Sequence, residues 1–255
     1  MLPSFDLSGR CALVTGGSKG LGKAMARAFA LAGAKVFICS RHEKELESAL
    51  EEIFAGVPHQ RGYCVADLSQ RSECARVVAE AEKSIGKVDI LVNNAGSNVP
   101  EPIDGITDEA WDRIVELNFS SCMALSRAAV PGMKARNWGR IIHISSIMAL
   151  GSKEGRHAYS GTKAALIGMC RSMALELGPS GITVNCIAPG PFLTDLPGKL
   201  LSDEEKAHFA SRTALGRWGD PEELAGPALL LASNAGSYIT GATLVVDGGT
   251  LCKTF

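Results

Sequence analysis

Residues 15–24 read TGGSKGLGKA, and the reading of this stretch decides the fold. Counted from Gly17 it is G-x-x-x-x-G-K, a phosphate loop lacking its last letter; counted from Gly16 it is G-x-x-x-G-x-G, a turn that can hold a dinucleotide. A phosphate loop needs Ser or Thr after its lysine, because that hydroxyl ligates the nucleotide's Mg²⁺. Ala24 stands there instead, and the later strand that would supply an acidic metal partner ends in uncharged NNAG (93–96). The dinucleotide turn asks only for a strand, a tight glycine turn and a helix start. All three occur in order. Gly16 permits the sharp exit from the strand, Gly20 the close approach of a cofactor, and Gly22 the packing of the helix on the sheet.

Outward from this turn, short apolar, β-branched runs recur: CALVT (11–15), KVFICS (35–40), GYCVA (62–66), VDILVNN (88–94), GRIIHIS (139–145), ITVNCIA (182–188) and ATLVVD (242–247). Their length and composition predict buried strands. Between them, apolar residues at three- and four-residue spacing predict helices over 21–32, 43–54, 70–85, 109–136, 157–178 and 221–233. This alternation predicts an α/β fold, a single doubly wound Rossmann-type domain over 1–255 whose seven-stranded, mainly parallel sheet carries helices on both faces. In such sheets ligands bind beyond the C-terminal ends of the strands. Only 190–216 stands outside the alternation; its length and Pro/Gly content predict a substrate lid, with DEEK (203–206) as the first turn of a lid helix.

Composition narrows the partners. Of 255 residues 46% are hydrophobic and 21% charged, which supplies a core, and a net charge of −1 without long like-charge runs speaks against nucleic acid and membrane surfaces. A small-molecule partner is expected. The eight cysteines form no C-x-x-C pair and no metal-ligand spacing, so they are read as reduced core thiols and no metal is expected. With neither a secretory pattern at the N-terminus nor an apolar run of membrane length, the expectation is a cytoplasmic enzyme.

The chemistry-bearing residues are Asn118, Ser146, Tyr159 and Lys163, the last two within YSGTK. Tyr-x-x-x-Lys on a helix places both side chains on one face, one turn apart. A phenol ordinarily titrates near pH 10, so acid–base work at neutral pH requires a nearby cation. Ser146, at a strand end, can donate a hydrogen bond to a substrate oxygen.

With these residues in view, the chain resembles the classical branch of the short-chain dehydrogenase/reductase family along nearly its whole length. TGGSKGLG, DL (67–68), NNAG, Asn118, ISS (144–146), YSGTK, PGPFLT (189–194) and VDGG (246–249) stand in the family's order. The resemblance implies a catalytic tetrad. Tyr159 would exchange a proton with the substrate oxygen, Lys163 would make the phenol more acidic and hold the nicotinamide ribose, Ser146 would orient the carbonyl, and Asn118 would hold a water leading to solvent. Ser145 is taken as a packing neighbour. It implies further that Gly16, Ser18, Lys19, Gly20, Leu21 and Gly22 contact the cofactor, that Asp67 and Leu68 meet its adenine, that Asn94, Ala95 and Gly96 line its ribose, and that Pro189, Gly190, Phe192 and Thr194 run along the nicotinamide.

The second strand ends in Ser40 and Arg41 rather than in the acidic residue that would bond a ribose 2′-hydroxyl. A hydroxyl followed by a guanidinium, with Lys19 as a second cation, suits a 2′-phosphate, so NADP(H) is favoured over NAD(H). His157, with Met148, Lys153 and Arg156, is expected at the substrate entrance, and His143 as a packed core histidine. The resemblance implies a homotetramer and lies closest to two groups, the 3-oxoacyl-carrier-protein reductases and the gluconate or polyol dehydrogenases. A sugar acid or polyol substrate is the favoured expectation; reduction of a carrier-bound 3-oxoacyl group and a non-catalytic NADP(H) sensor stay open.

Overall fold

The computed structural model describes residues 2–194 and 202–253. Seven strands form one sheet: β1 (Cys11–Thr15), β2 (Lys35–Ser40), β3 (Arg61–Val65), β4 (Ile90–Asn93), β5 (Gly139–Ile144), β6 (Ile182–Pro189) and β7 (Thr243–Val246), in the spatial order β3-β2-β1-β4-β5-β6-β7. Every pairing is parallel, beyond the mainly parallel expectation. The chain runs outward from β1 to β3, then returns to add β4 on β1's other side, and this reversal opens a crevice between β1 and β4.

Eight α-helices among the described residues cover the sheet: α1 (Gly20–Leu31), α2 (Glu43–Ile53), α3 (Arg71–Ile85), α4 (Asp108–Val115), α5 (Ser121–Ala135), α6 (His157–Leu177), α7 (Asp203–Ser211) and α8 (Ala225–Ala232). Alternation along β1 divides the core. Ala12 and Val14 pack with Phe29 of α1, Leu46 of α2 and Leu231 of α8, while Cys11 and Leu13 pack with Val77 of α3, Leu125 of α5 and Cys170 of α6. Both layers exclude water, and each fully buried large side chain such as Phe29 contributes about 1.5–3 kcal/mol.

Three sequence expectations need correction. The predicted helix over 109–136 is interrupted by a π-turn, Glu116–Ser120, whose closing bond runs from the Ser121 N–H to the Glu116 carbonyl. The widened turn displaces the carbonyls of Leu117 and Asn118, and side chains one turn on take them up: Ser121 Oγ donates to Leu117 O at 2.6 Å and Cys122 Sγ to Asn118 O at 3.5 Å. The predicted helix over 221–233 begins as a 3-10 turn, Pro221–Leu224, before α8. Seven cysteines are buried and unpaired as expected, but Cys252 is exposed, because it follows the last strand in a surface turn.

Of the predicted 190–216 segment, 195–201 lies outside the described residues. The DEEK stretch does open α7, where Ser202 and Glu205 form a reciprocal capping box. Phe209 of this helix packs on Trp218 at 5.4 Å, and Trp218 Nε1 donates to Lys206 O.

Candidate active site

The glycine turn joins β1 to α1 at the crevice. Gly16 has φ +63°, a backbone conformation that side chains oppose, and a Cβ there would lie 2.9 Å from Asn94 Nδ2. A Cβ at Gly22 would lie 2.3 Å from the Gly16 carbonyl oxygen, and one at Gly20 3.0 Å from Thr194 Cγ2. No side chain caps α1, and its first turn carries no acid, so the N–H groups of its first turn are left for an incoming ligand. Ser18 is buried in the turn, and Leu21 packs against the core.

Thr15, which the sequence reading passed over except as the turn's first letter, joins the turn to β4. Its hydroxyl donates to Val92 O at 3.2 Å and accepts from the N–H groups of Asn94 and Ala95, each at 3.0 Å. Asn94 answers with its own amide, Nδ2 donating to Thr15 O at 2.8 Å and Gly16 O at 3.2 Å. Asn94 therefore staples the turn rather than only lining a wall.

At the end of β2, Ser40 is half-exposed, its hydroxyl accepting weakly from the His42 N–H at 3.5 Å, and Arg41 is exposed. Burial pushes the Asp67 carboxyl up, but hydrogen bonds from Ser69 and the charges of Arg113 and Arg41 outweigh it and hold the group below its ordinary value. The structure thus brings the ends of β2 and β3 together, with Leu68 buried beneath. Lys19 has a carboxylate partner of its own. Its ammonium lies 2.6 Å from Glu45 of α2, so it enters the turn already paired to a carboxylate.

The four residues read as a tetrad converge beyond β4 and β5. Asn118, fully buried in the π-turn, holds Ser97 at both backbone groups: Oδ1 accepts from Ser97 N and Nδ2 donates to Ser97 O, each at 2.9 Å. The same Nδ2 reaches Thr162 Oγ1 at 3.3 Å, and that hydroxyl donates to Tyr159 O at 2.8 Å. Lys163 is 4% exposed, with Nζ donating to Ile144 O at 2.7 Å and lying 5.7 Å from the centre of the half-buried Tyr159 ring. Among the described residues no carboxylate lies within ion-pair distance of it. A Cβ at Gly96 would fall 3.1 Å from Asn118 Oδ1 and 3.3 Å from Lys163 Nζ, so only glycine leaves this junction open. Ser146, 7% exposed, caps the turn Ile147–Ala149 by accepting from the Met148 N–H at 3.1 Å. Its hydroxyl proton is left to donate elsewhere.

Thr162 was not singled out from sequence, and Ser145 was read only as a packing neighbour. The signal lay in hydroxyls beside tetrad members, although serine and threonine are too common at strand ends and in helices for that to decide anything. Pro189 closes β6, Gly190 lies against Asp247 of the VDGG stretch, Phe192 is buried over Gly219, and Thr194 faces Gly20. The 189–194 segment and the glycine turn therefore meet.

His157 opens α6 by stacking on Trp111, ring centres 6.2 Å apart, and Nε2 lies 3.1 Å from Glu101 O. Since a carbonyl only accepts, Nε2 carries the proton. Lys153 projects over the Phe209 ring of α7 at 5.3 Å, joining the loop before α6 to the predicted lid helix. His143 is fully buried with Nδ1 3.0 Å from Asn93 Nδ2, and burial, then the charge of Lys163, lowers its pKa to about 4. A cavity of about 510 Å³ opens against α1 and the end of α2, lined among others by Arg27, Ile53, Pro221 and Glu222. It meets the glycine turn at Gly20 and touches none of the four convergent side chains.

A dinucleotide fits these residues: a glycine turn that Cβ atoms would fill, an uncapped helix start, and a buried ammonium without a counter-ion among the described residues. Comparison with known proteins agrees. A family model described as enoyl-(acyl carrier protein) reductase matches residues 16–250. The chain is 37% identical over 247 residues to a 3-oxoacyl-(acyl-carrier-protein) reductase of Rickettsia bellii, covering 97% of this chain and 99% of the relative. It is 35% identical over 246 residues to the gluconate 5-dehydrogenase of Gluconobacter oxydans, covering 96% of each. The crystal structure of a 3-oxoacyl (acyl-carrier-protein) reductase from Agrobacterium tumefaciens C58 with NADP bound matches with a TM-score of 0.92 at 34% identity over 96% of each chain. Fold, motif order and these full-length likenesses agree that the chain belongs to the short-chain dehydrogenase/reductase family, enzymes of alcohol and carbonyl oxidoreduction.

Proposed function

We propose that the chain is an NADP(H)-dependent oxidoreductase that interconverts a carbonyl and a secondary alcohol, with a sugar acid or polyol as substrate. The observation that carries the reading is the buried Lys163 ammonium, free of any carboxylate among the described residues and one helical turn from Tyr159. A buried lysine without a counter-ion is costly, and a neighbouring phenolate relieves that cost. When bound, the nicotinamide supplies or accepts the hydride. The chain's own residues do the rest. Tyr159 gives or takes the proton at the substrate oxygen, Ser146 donates a hydrogen bond that orients that oxygen, and Lys163 favours the phenolate. Asn118, bound to both backbone groups of Ser97, keeps the passage to Lys163 in shape.

Residues 16–22 would hold the pyrophosphate, Asp67 and Leu68 the adenine, Asn94–Gly96 the ribose, and Pro189, Gly190, Phe192 and Thr194 the nicotinamide. Ser40 and Arg41 support preference for a 2′-phosphate, while Lys19, tied to Glu45, would have to exchange partners to assist. The bound NADP of the Agrobacterium relative supports the same choice. The gluconate 5-dehydrogenase likeness and the cations Lys153 and Arg156 near the entrance support an anionic polyol; the reductase likeness supports a carrier-bound 3-oxoacyl group as the second reading. We further infer a single domain over 1–255 with a lid at about 190–216, a homotetramer pairing α4, α5 and α6 between subunits, and a cytoplasmic location. None of the described helices is long and apolar enough to cross a membrane.

The test is oxidation of NADPH and NADH with 5-ketogluconate, other keto-sugars, small diketones and a 3-oxoacyl thioester. The proposal expects NADPH consumption with a keto-sugar acid at least tenfold faster than with the thioester. The opposite order would select the acyl reductase, and tight NADPH binding without turnover on any member would favour the sensor.

A further inference from the structure

Two consecutive residues at the end of β5 grip Lys163 at both ends. The Ile144 carbonyl accepts from the ammonium at 2.7 Å, and the Ser145 hydroxyl donates to the Lys163 carbonyl at 2.8 Å. Ser145 is 2% exposed, and its N–H donates to Ile187 O of β6 at 2.7 Å, which extends the sheet beyond the strand's end. The Lys163 carbonyl lies inside α6, where the helix already provides it with a donor. The hydroxyl is therefore not needed to satisfy the backbone. It fastens α6 to β5 at the peptide of the residue whose charge matters. With no carboxylate among the described residues to locate it, the ammonium takes its place from its backbone and the Ile144 carbonyl.

Resting on the catalytic reading above, we propose that Ser145 is a positioning residue: its hydroxyl, held on the Lys163 carbonyl, fixes the placement of the Lys163 ammonium relative to the Tyr159 phenol. Ser126 provides the contrast. It is equally buried, but its hydroxyl donates at 2.7 Å to Cys122 O of its own helix and accepts from Asn93 Nδ2 of β4 at 3.4 Å, making no hydrogen bond to α6 among the described residues. The titratable groups facing Lys163 are His143 of β5, Cys122 of α5 and Cys186 of β6. Burial holds the imidazole neutral and the Cys122 thiol protonated, and contact with Cys170 together with burial does the same for Cys186. None of them changes charge in the neutral range, so a moved pH limb reports Tyr159 and Lys163.

The test compares Ser145→Ala and Ser126→Ala with wild type in the alcohol-oxidation direction. Loosening the cation disfavours the phenolate. Ser145→Ala is expected to move the rising limb of kcat/KM about half to one pH unit upward, and to lower kcat at neutral pH about threefold to tenfold with the alcohol KM within twofold. Ultraviolet titration of the tyrosines without cofactor, with Tyr159 isolated by subtracting the Tyr159→Phe variant, is expected to move in the same direction. Ser126→Ala is expected to lower thermal stability and leave both titrations in place. Should Ser145→Ala not fold, Ser145→Thr keeps the donor and must retain the wild-type limb, whereas Ser145→Cys weakens it and must shift the limb. A Ser145→Ala protein that loses stability but keeps both titrations overturns the proposal while Lys163→Ala still moves the phenol. If Lys163→Ala leaves the phenol where it was, the catalytic reading fails as well.

Discussion

A methyl group at position 22 would sit 2.3 Å from a backbone oxygen of the turn it faces, so the Gly22 position is closed to every other residue unless α1 moves off the sheet. Gly22→Ala is therefore expected to weaken NADPH binding at least tenfold, measured by nucleotide fluorescence titration, and to lower Tm; wild-type affinity would contradict the assigned pyrophosphate site. The identity of such glycines is readable from spacing, because steric exclusion leaves a residue type behind. Pairings are not. Nothing in the spelling of TGGSKG says that Lys19 meets Glu45 across 26 residues, or that Asn94 spends its amide on Thr15 and Gly16.

The strands were legible as elements because buried parallel strands leave unbroken β-branched runs, and six begin within one residue of where the runs predict. The π-turn left no such trace. One extra residue in a turn keeps the apolar periodicity of 109–136 nearly intact, and only the coordinates show that it carries Asn118 out of register with the helix. The joint between β1 and β4 was equally hidden, since it rests on one hydroxyl serving three backbone groups. Thr15→Val keeps the shape and removes both the donor and the acceptor, leaving the N–H groups of Asn94 and Ala95 without a partner. A loss of about 2–4 kcal/mol is expected in urea unfolding, with Thr15→Ser near wild type. A Thr15→Val loss below about 0.5 kcal/mol would mean that the joint is held by the sheet alone.

At the scale of the whole molecule, His143 lies in the second core layer beside Lys163, and burial depresses its pKa from 6.5 to about 4. The fold therefore holds the neutral ring. Its contribution is complete above pH 6.5, declines as the unfolded chain takes up the proton, and is gone below about pH 4, a change of roughly 3 kcal/mol. Unfolding free energies of wild type and His143→Gln between pH 7 and pH 4 are expected to converge on the acid side by about that amount; parallel curves would show that the ring is not the acid-sensitive group. The central claim concerns the other side of the same lysine, that the chain transfers hydride with Tyr159 as its acid–base group. The direct measurement is single-turnover NADPH oxidation by wild type and Tyr159→Phe with a substrate that the wild type turns over, alongside NADPH binding by both. The account predicts that the variant binds NADPH within about threefold of wild type while turnover falls at least a hundredfold; equal turnover by the two proteins would contradict it.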